Sequence, residues 1–108
     1  MSDPKPAPVT TTIAAAGAHV GMNVRVQGWV SNRTDKGKLQ FIALRDGTGT
    51  MQCVAFEKDV APEAFEAIGS LTQESAVVLT GALRADARAP GGIELGIEGI
   101  DVVSLAEP

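Results

Sequence analysis

Arg33, Phe41 and Gln52 are the residues of this sequence whose types and spacing suit a defined chemistry. They lie in the stretch from Val24 to Phe56, VRVQGWVSNRTDKGKLQFIALRDGTGTMQCVAF. Strand parity puts them on the face away from Val24, Val26, Val30, Ile42 and Leu44. An aromatic ring stacks on an unpaired base, a primary amide both donates to and accepts from a base edge, and a guanidinium holds a phosphate or stacks. Arg45 shares the face of Phe41, and Lys36 and Lys38 flank Gly37 in the turn before it. Glu94, in a later strand, adds an acceptor for a base amino or imino group. Each residue also has a plainer reading. Phe41 fits a two-sided strand covered by a loop, Gln52 a wet strand face, and Arg33 a solvated edge charge. Their joint placement on the outer face of strands one, two, three and five points to single-stranded nucleic acid.

Enzyme chemistry finds no such constellation. The only histidine, His19, precedes the first strand with no second histidine or cysteine in sequence reach to build a metal site. Cys53 falls on the inward parity of a strand, where a thiol packs as a small apolar side chain rather than acting as a nucleophile. No serine sits in a nucleophile elbow. Pro90-Gly91-Gly92 reads as a turn and not as a phosphate cradle.

Five strands are needed to hold these side chains. The first carries Val24, Val26 and Val30 inward, with Arg25, Gln27, Trp29, Ser31 and Arg33 outward. The second carries Ile42 and Leu44 inward, with Leu39, Phe41, Ala43 and Arg45 outward. Asp46-Gly47-Thr48-Gly49 is a strong turn signal before the third, in which Met51, Cys53 and Ala55 alternate with Gln52, Val54 and Phe56. A helix is expected over Asp59 to Ile68, from Pro62 near its start and Gly69 just after it. Val77 to Leu83 is the fourth strand, Asp86 to Gly92 a loop, and Ile93 to Val103 the fifth. In the fifth strand the apolar parity shifts from Ile97 to Ile100, which predicts a bulge near Gly99. Before the first strand, residues 1–9 read as a disordered or extended leader, and Thr10 to Ala18 as a short helical turn capped by Thr10 to Thr12. The domain proper is therefore expected over 10–108. Three strands, a helix and two more strands give an all-β fold: a five-stranded Greek-key OB-fold barrel with its helix between strands three and four. An SH3-like barrel is the rival, though it normally lacks a helix at that place.

The bulk composition bounds these readings. With 108 residues the chain has room for one core. It carries neither a signal-peptide pattern nor an apolar run long enough to span a membrane. Its single cysteine excludes an internal disulfide framework and suits a reducing cytoplasm. The net charge of −4 is unevenly distributed. Residues 23–58 hold six lysines and arginines against three acids, whereas residues from 59 onward hold nine acids against two arginines. A local binding face fits this better than a generally adhesive protein.

The residues also carry a resemblance. GWV at Gly28 to Val30, GKLQFIALRDGTGTMQ from Gly37 to Gln52, a strand ending at Arg84, and APGGIEL from Ala89 to Leu95 resemble the N-terminal anticodon-binding domain of class IIb aminoacyl-tRNA synthetases. The match is nearest to bacterial asparaginyl-tRNA synthetases, with aspartyl-tRNA synthetases next. Ser31-Asn32-Arg33-Thr34 departs from the arginine-rich run of the bacterial aspartyl enzymes. The resemblance implies a tRNA anticodon loop as partner. It implies stacking of the central anticodon base on Phe41, with Gln52, Arg33 and Glu94 contacting anticodon bases or their backbone. The family's class II catalytic motifs lie downstream, so this chain alone is expected to be non-catalytic, with no cofactor of its own. The expected parent is a longer ligase using ATP and Mg, homodimeric through its catalytic domain and cytoplasmic, with no membrane partner. Open alternatives are an aspartate–tRNA ligase domain, a general single-stranded nucleic-acid binder, a free-standing paralogue, and a protein-interaction barrel.

Overall fold

Alternating apolar and polar residues become strands whose inner faces meet, and five of those strands close on one another in a computed structural model that describes residues 7–106. The elements are β1 (Val9–Thr10), β2 (Asn23–Asp35), β3 (Leu39–Arg45), β4 (Thr50–Phe56), α1 (Pro62–Gly69), β5 (Ala76–Ala85) and β6 (Ile93–Ser104). Antiparallel pairing joins β2 to β3 and β3 to β4. β6 then runs parallel to β4 and antiparallel to β5, and β5 returns antiparallel to β2. Those five pairings make a closed barrel, with β1 added in parallel at Val9↔Val24. The first six residues of the expected leader lie outside the described residues, while its last, Val9, is in β1.

The inner faces supply the core. Val24, Val26, Ile42, Leu44, Met51, Cys53, Val77, Leu79 and Leu95 are fully buried. Burial pushes the Cys53 thiol far above its ordinary value, and the nearby Glu94 charge adds to the effect. Cys53 is thus a packed core residue with its thiol held protonated.

Helix α1 begins later than its sequence pattern suggests. Pro62 has no N–H to give and forces Ala61 into an extended conformation (φ −61°, ψ 146°), so the helix starts at the proline. Asp59 belongs instead to a separate short turn, Glu57–Asp59. Ile68 is buried, and Ala64 and Phe65 pack partly buried against the barrel core. The expected turn over Thr10 to Ala18 is also corrected. Thr10 is in β1, the helical turn covers Ala16–His19, and of the three threonines it is Thr12 whose Oγ1 accepts from the Ala15 N–H (3.2 Å).

Of three register shifts in the ladders, one skips Val103 at the end of β6 and the other two set which side chains face where. In β6, Gly81 pairs with Ile97 and Thr80 with Gly99, leaving Glu98 as the extra residue. In β2, Val30 pairs with Leu44 and Asn32 with Ala43, leaving Ser31 as the extra one. Beyond Ser31 the alternation is inverted: Asn32 and Thr34 join the outer face, and Arg33 pairs with inward-facing Ile42.

The β3–β4 turn clasps the segment before β2. Asp46 Oδ2 accepts from the Ile13 N–H (2.8 Å), and its Oδ1 accepts from the Thr48 N–H (2.9 Å) and hydroxyl (2.6 Å). Thr48 Oγ1 in turn accepts from the Ala14 N–H (3.0 Å). Desolvation opposes the Asp46 charge, but the bonds from Thr48, Ile13 and Gly49 outweigh it and hold the carboxyl below its ordinary 3.8.

Two stability effects are expected. A Cβ on Gly81 would stand 1.9 Å from the Gly96 carbonyl oxygen, and backbone cannot move aside cheaply. Gly81→Ala should therefore cost about 3 kcal/mol in a urea titration, near the upper end of overpacking costs; an unchanged midpoint would contradict the close approach. Asp46→Ala should cost on the order of 1 kcal/mol through the lost backbone caps. Because the folded carboxyl titrates below the unfolded one, its stabilisation is complete above about pH 3.8 and is lost as pH falls through the depressed folded value. Acid unfolding of the Asp46→Ala protein should lack that component.

Candidate nucleic-acid interface

Barrel closure lines up outward side chains from all five strands into rows. One row, read through the pairings, is Asn32–Ala43–Gln52–Glu94–Arg84. The row beside it is Thr34–Phe41–Val54–Gly96–Ala82, and Leu39–Phe56 forms the next pair. The first row is mainly polar and the second mainly apolar. Phe41, Gln52, Val54, Phe56, Arg84, Asp86, Arg88 and Glu94 together line an open cleft of about 550 Å³.

Phe41, Gln52 and Glu94 are therefore brought together as the sequence suggested. Phe41 is half-buried, between full exposure and coverage by a loop, so part of its ring surface is left for stacking. Val54, its cross-strand neighbour, is buried on the same face and forms an apolar floor.

Glu94 faces outward yet is only 6% exposed. Its Oε1 accepts from Arg84 Nε (3.1 Å) and Nη2 (2.6 Å), and its Oε2 accepts from Gln52 Nε2 (2.6 Å). A buried carboxylate needs such partners, since leaving it bare costs several kcal/mol. Arg84 also lies over Phe56, with its guanidinium carbon 5.9 Å from the ring centroid. Arg88 extends into solvent with its side chain 94% exposed and its Nε 3.7 Å from Asp86 Oδ1.

Arg33 is not on this face. The Ser31 bulge turns it to the opposite side, where Nε donates to the Leu71 carbonyl (3.1 Å) and Nη1 to Gln40 Oε1 (2.9 Å). The expectation that Arg33 stands beside Phe41 and Gln52 is thus overturned, and Asn32 and Thr34 take its place. Arg45 keeps its outward position but is engaged within the fold. It ion-pairs with Glu74 and lies 5.6 Å from the Trp29 ring centroid. Lys36 and Lys38 are exposed. Lys38 borders a second groove of about 480 Å³ with Leu39, Phe56, Glu57 and Lys58, beside the main cleft.

Arg84, Phe56 and Arg88 line the cleft although the sequence pattern did not single them out. A signal existed for Arg84. Pairing the two strands symmetrically about the Asp86–Gly92 loop sets Arg84 opposite Glu94, and an opposite-charge pair there is diagnostic. Among the described residues, no three His, Cys, Asp or Glu side chains gather as a metal site. No helix among them is long and apolar enough to cross a membrane.

A closed five-stranded barrel with an apolar floor, an aromatic and a polar row on one outer face has the architecture of oligonucleotide-binding OB domains. Comparison with known families makes this specific: residues 24–103 match the tRNA anti-codon family model, described as an OB-fold nucleic acid binding domain, and the chain belongs to that family. Among curated relatives, the asparagine–tRNA ligase of Chloroflexus aurantiacus is 53% identical over 94 residues, covering 87% of this chain and 21% of the relative. The chain thus spans about a fifth of the length of the curated relatives it matches. Among solved structures, asparaginyl-tRNA synthetase from Pyrococcus horikoshii superposes with a TM-score of 0.84 at 35% identity, over 90% of this chain and 23% of that one. An OBody bound to hen egg-white lysozyme (AM3L09) shares the fold, with a TM-score of 0.78 at 24% identity over 93% of this chain and all of the other.

The half-buried setting of Phe41 sets its weight in the fold. Phe41→Ala should lower stability by about 1–2 kcal/mol, less than the 3–5 of a fully buried Phe. The protein should stay folded by circular dichroism, and loss of the fold would place Phe41 in the core instead.

Proposed function

We propose that this chain is the anticodon-binding module of an asparagine–tRNA ligase and that its outer face reads the anticodon loop of the asparagine tRNA. The observation that carries the reading is the row that joins Gln52, Glu94 and Arg84 beside Phe41, in a chain 53% identical to an asparagine–tRNA ligase. Phe41 stacks one unpaired loop base, Val54 and Gly96 form the floor beneath it, and the polar row meets the base edge. We read the barrel as a Greek-key OB-fold with α1 between the third and fourth barrel strands, a layout supported by the parallel β4–β6 pairing and the β2–β5 closure. The module itself is non-catalytic and needs no cofactor. ATP and Mg²⁺ belong to the catalytic part of the longer ligase, which dimerises through that part and works in the cytoplasm.

Few cations are free to hold phosphate. Arg33 is bonded within the fold and Arg45 ion-pairs with Glu74 at the surface, leaving the exposed Lys36 and Lys38, with Arg88 beside Asp86 at the rim of the cleft. Two or three phosphate contacts at roughly −0.7 each give a log–log salt slope of about −1.4 to −2.1. Fluorescence anisotropy should therefore show preference for the asparagine anticodon stem-loop over a scrambled loop and oligo-dT, with that shallow slope. Phe41→Ala should weaken the stem-loop complex by roughly 1–3 kcal/mol. A slope near −5 by the same per-phosphate rule, or equal affinity for oligo-dT, would identify a general nucleic-acid binder instead.

A further inference from the structure

Leu39 and Phe56 carry the outer face one residue pair beyond Phe41 and Val54. With Lys38, Glu57 and Lys58 they line the groove of about 480 Å³ beside the cleft. Phe56 borders both hollows, so its ring is the wall between them. Arg84 lies over that ring and lines the cleft but not the groove, so the groove reaches the ring away from the guanidinium. Leu39 and Phe56 are both half-buried, which leaves apolar surface open to the groove. The rim is ionic. Lys38, Glu57 and Lys58 are exposed, and the Glu57 N–H donates to the Lys38 carbonyl (2.9 Å), tying the residue before β3 to the one after β4.

The reading of the polar row makes no use of this groove. A leucine and a phenyl ring can pack against the face of a base, but they offer its edge no donor or acceptor. Two ammonium groups against one carboxylate leave the rim net cationic, which suits a phosphate. An apolar floor beside such a rim matches the two halves of a nucleotide. The spacing agrees. Leu39 and Phe41 are two residues apart on one face of β3, a step of about 6.7 Å, which consecutive unstacked nucleotides of a single strand can span.

We propose that this groove is a second nucleotide subsite. It takes the loop nucleotide adjacent to the one on Phe41, with its base on Leu39 and Phe56 and its phosphate beside Lys38 and Lys58. With no amide, hydroxyl or guanidinium among its five lining residues, it accepts any base. The subsite therefore adds affinity without adding selectivity. The inference rests on the anticodon-loop reading and extends it to a nucleotide that the polar row does not touch.

The test uses the full 108-residue chain and asparagine anticodon stem-loops in which each loop nucleotide in turn is made abasic. Folding of every variant is checked by thermal melting. Removing one of the two bases that flank the Phe41 base should weaken parent binding by about fivefold or more. Phe56→Leu should weaken the intact loop by about as much, and the abasic neighbour should then cost this variant less than about twofold. Leu39 borders the groove and not the cleft, so Leu39→Ala should show the same loss of additivity without touching the cleft wall. The base on Phe41 should keep its full abasic penalty in both variants, which separates the two subsites. Lys38→Gln combined with Lys58→Gln should reduce the log–log salt slope by roughly 0.7, the share of one phosphate. Abasic penalties that stay additive in both Phe56→Leu and Leu39→Ala, or an unchanged slope in the lysine pair, would overturn the subsite. Should the parent protein bind a scrambled loop as tightly as the anticodon loop, the anticodon reading itself falls and this inference with it. A parent that prefers the anticodon loop while every penalty stays additive would sink this inference alone.

Discussion

The parallel pairing of β4 with β6 is the contact on which both the barrel and its outer face depend. Without it, β2, β3 and β4 are an open meander and β5–β6 a hairpin attached only through β2. With it, the sheet has no free edge around the barrel, and Gln52, Cys53 and Val54 stand opposite Glu94, Leu95 and Gly96. A slip of one residue would turn Glu94 toward the core and Leu95 to solvent. That exchange is forbidden by the cost of burying an unpaired carboxylate together with the loss of a buried leucine. The same register that seals the core therefore delivers Glu94 to Gln52 and Arg84. Gly81 contributes from the other side, because only a residue without Cβ lets the β5 backbone come so close to the Gly96 carbonyl.

This dependence explains what the sequence made legible and what it hid. Where alternation ran unbroken, it assigned faces correctly. Val24, Val26 and Val30 point inward, as do Ile42 and Leu44, and Met51, Cys53 and Ala55. The β6 bulge was visible because the apolar residues themselves change step between Ile97 and Ile100, and the extra residue is Glu98, next to the expected Gly99. The β2 bulge left no such trace. Ser31, Asn32, Arg33 and Thr34 are all polar, so nothing in their pattern marks the inversion that carries Arg33 to the face of Gln40 and Ile42. Likewise, the burial of Glu94 depends on partners 10 and 42 residues away in the chain, which only strand register brings together.

The charge asymmetry of the sequence changes meaning once partners are known. The basic first half suggested a platform that grips phosphate, but Arg33 is bonded to Leu71 and Gln40, and Arg45 pairs with Glu74 and lies over the Trp29 ring. These guanidiniums brace the barrel wall. Arg84 and Glu94 neutralise each other within the cleft, and Asp86 accompanies Arg88 at its rim. The cleft is thus nearly charge-balanced, and the exposed Lys36 and Lys38 lie at the β2–β3 turn.

A nearly neutral, preorganised face has a functional consequence. Phosphate attraction acts on every RNA alike, so a strongly basic face would hold wrong loops almost as well as the right one. Donors and acceptors fixed around a buried carboxylate discriminate by a different rule. A mismatched base leaves a desolvated polar group unpaired, and the penalty falls only on that base. On the proposed reading such a site would hold a loop weakly by itself, and a second contact would raise the effective concentration of the loop beside it. Selectivity would then reside in the polar row, and the remaining affinity would come from contacts elsewhere on the same RNA.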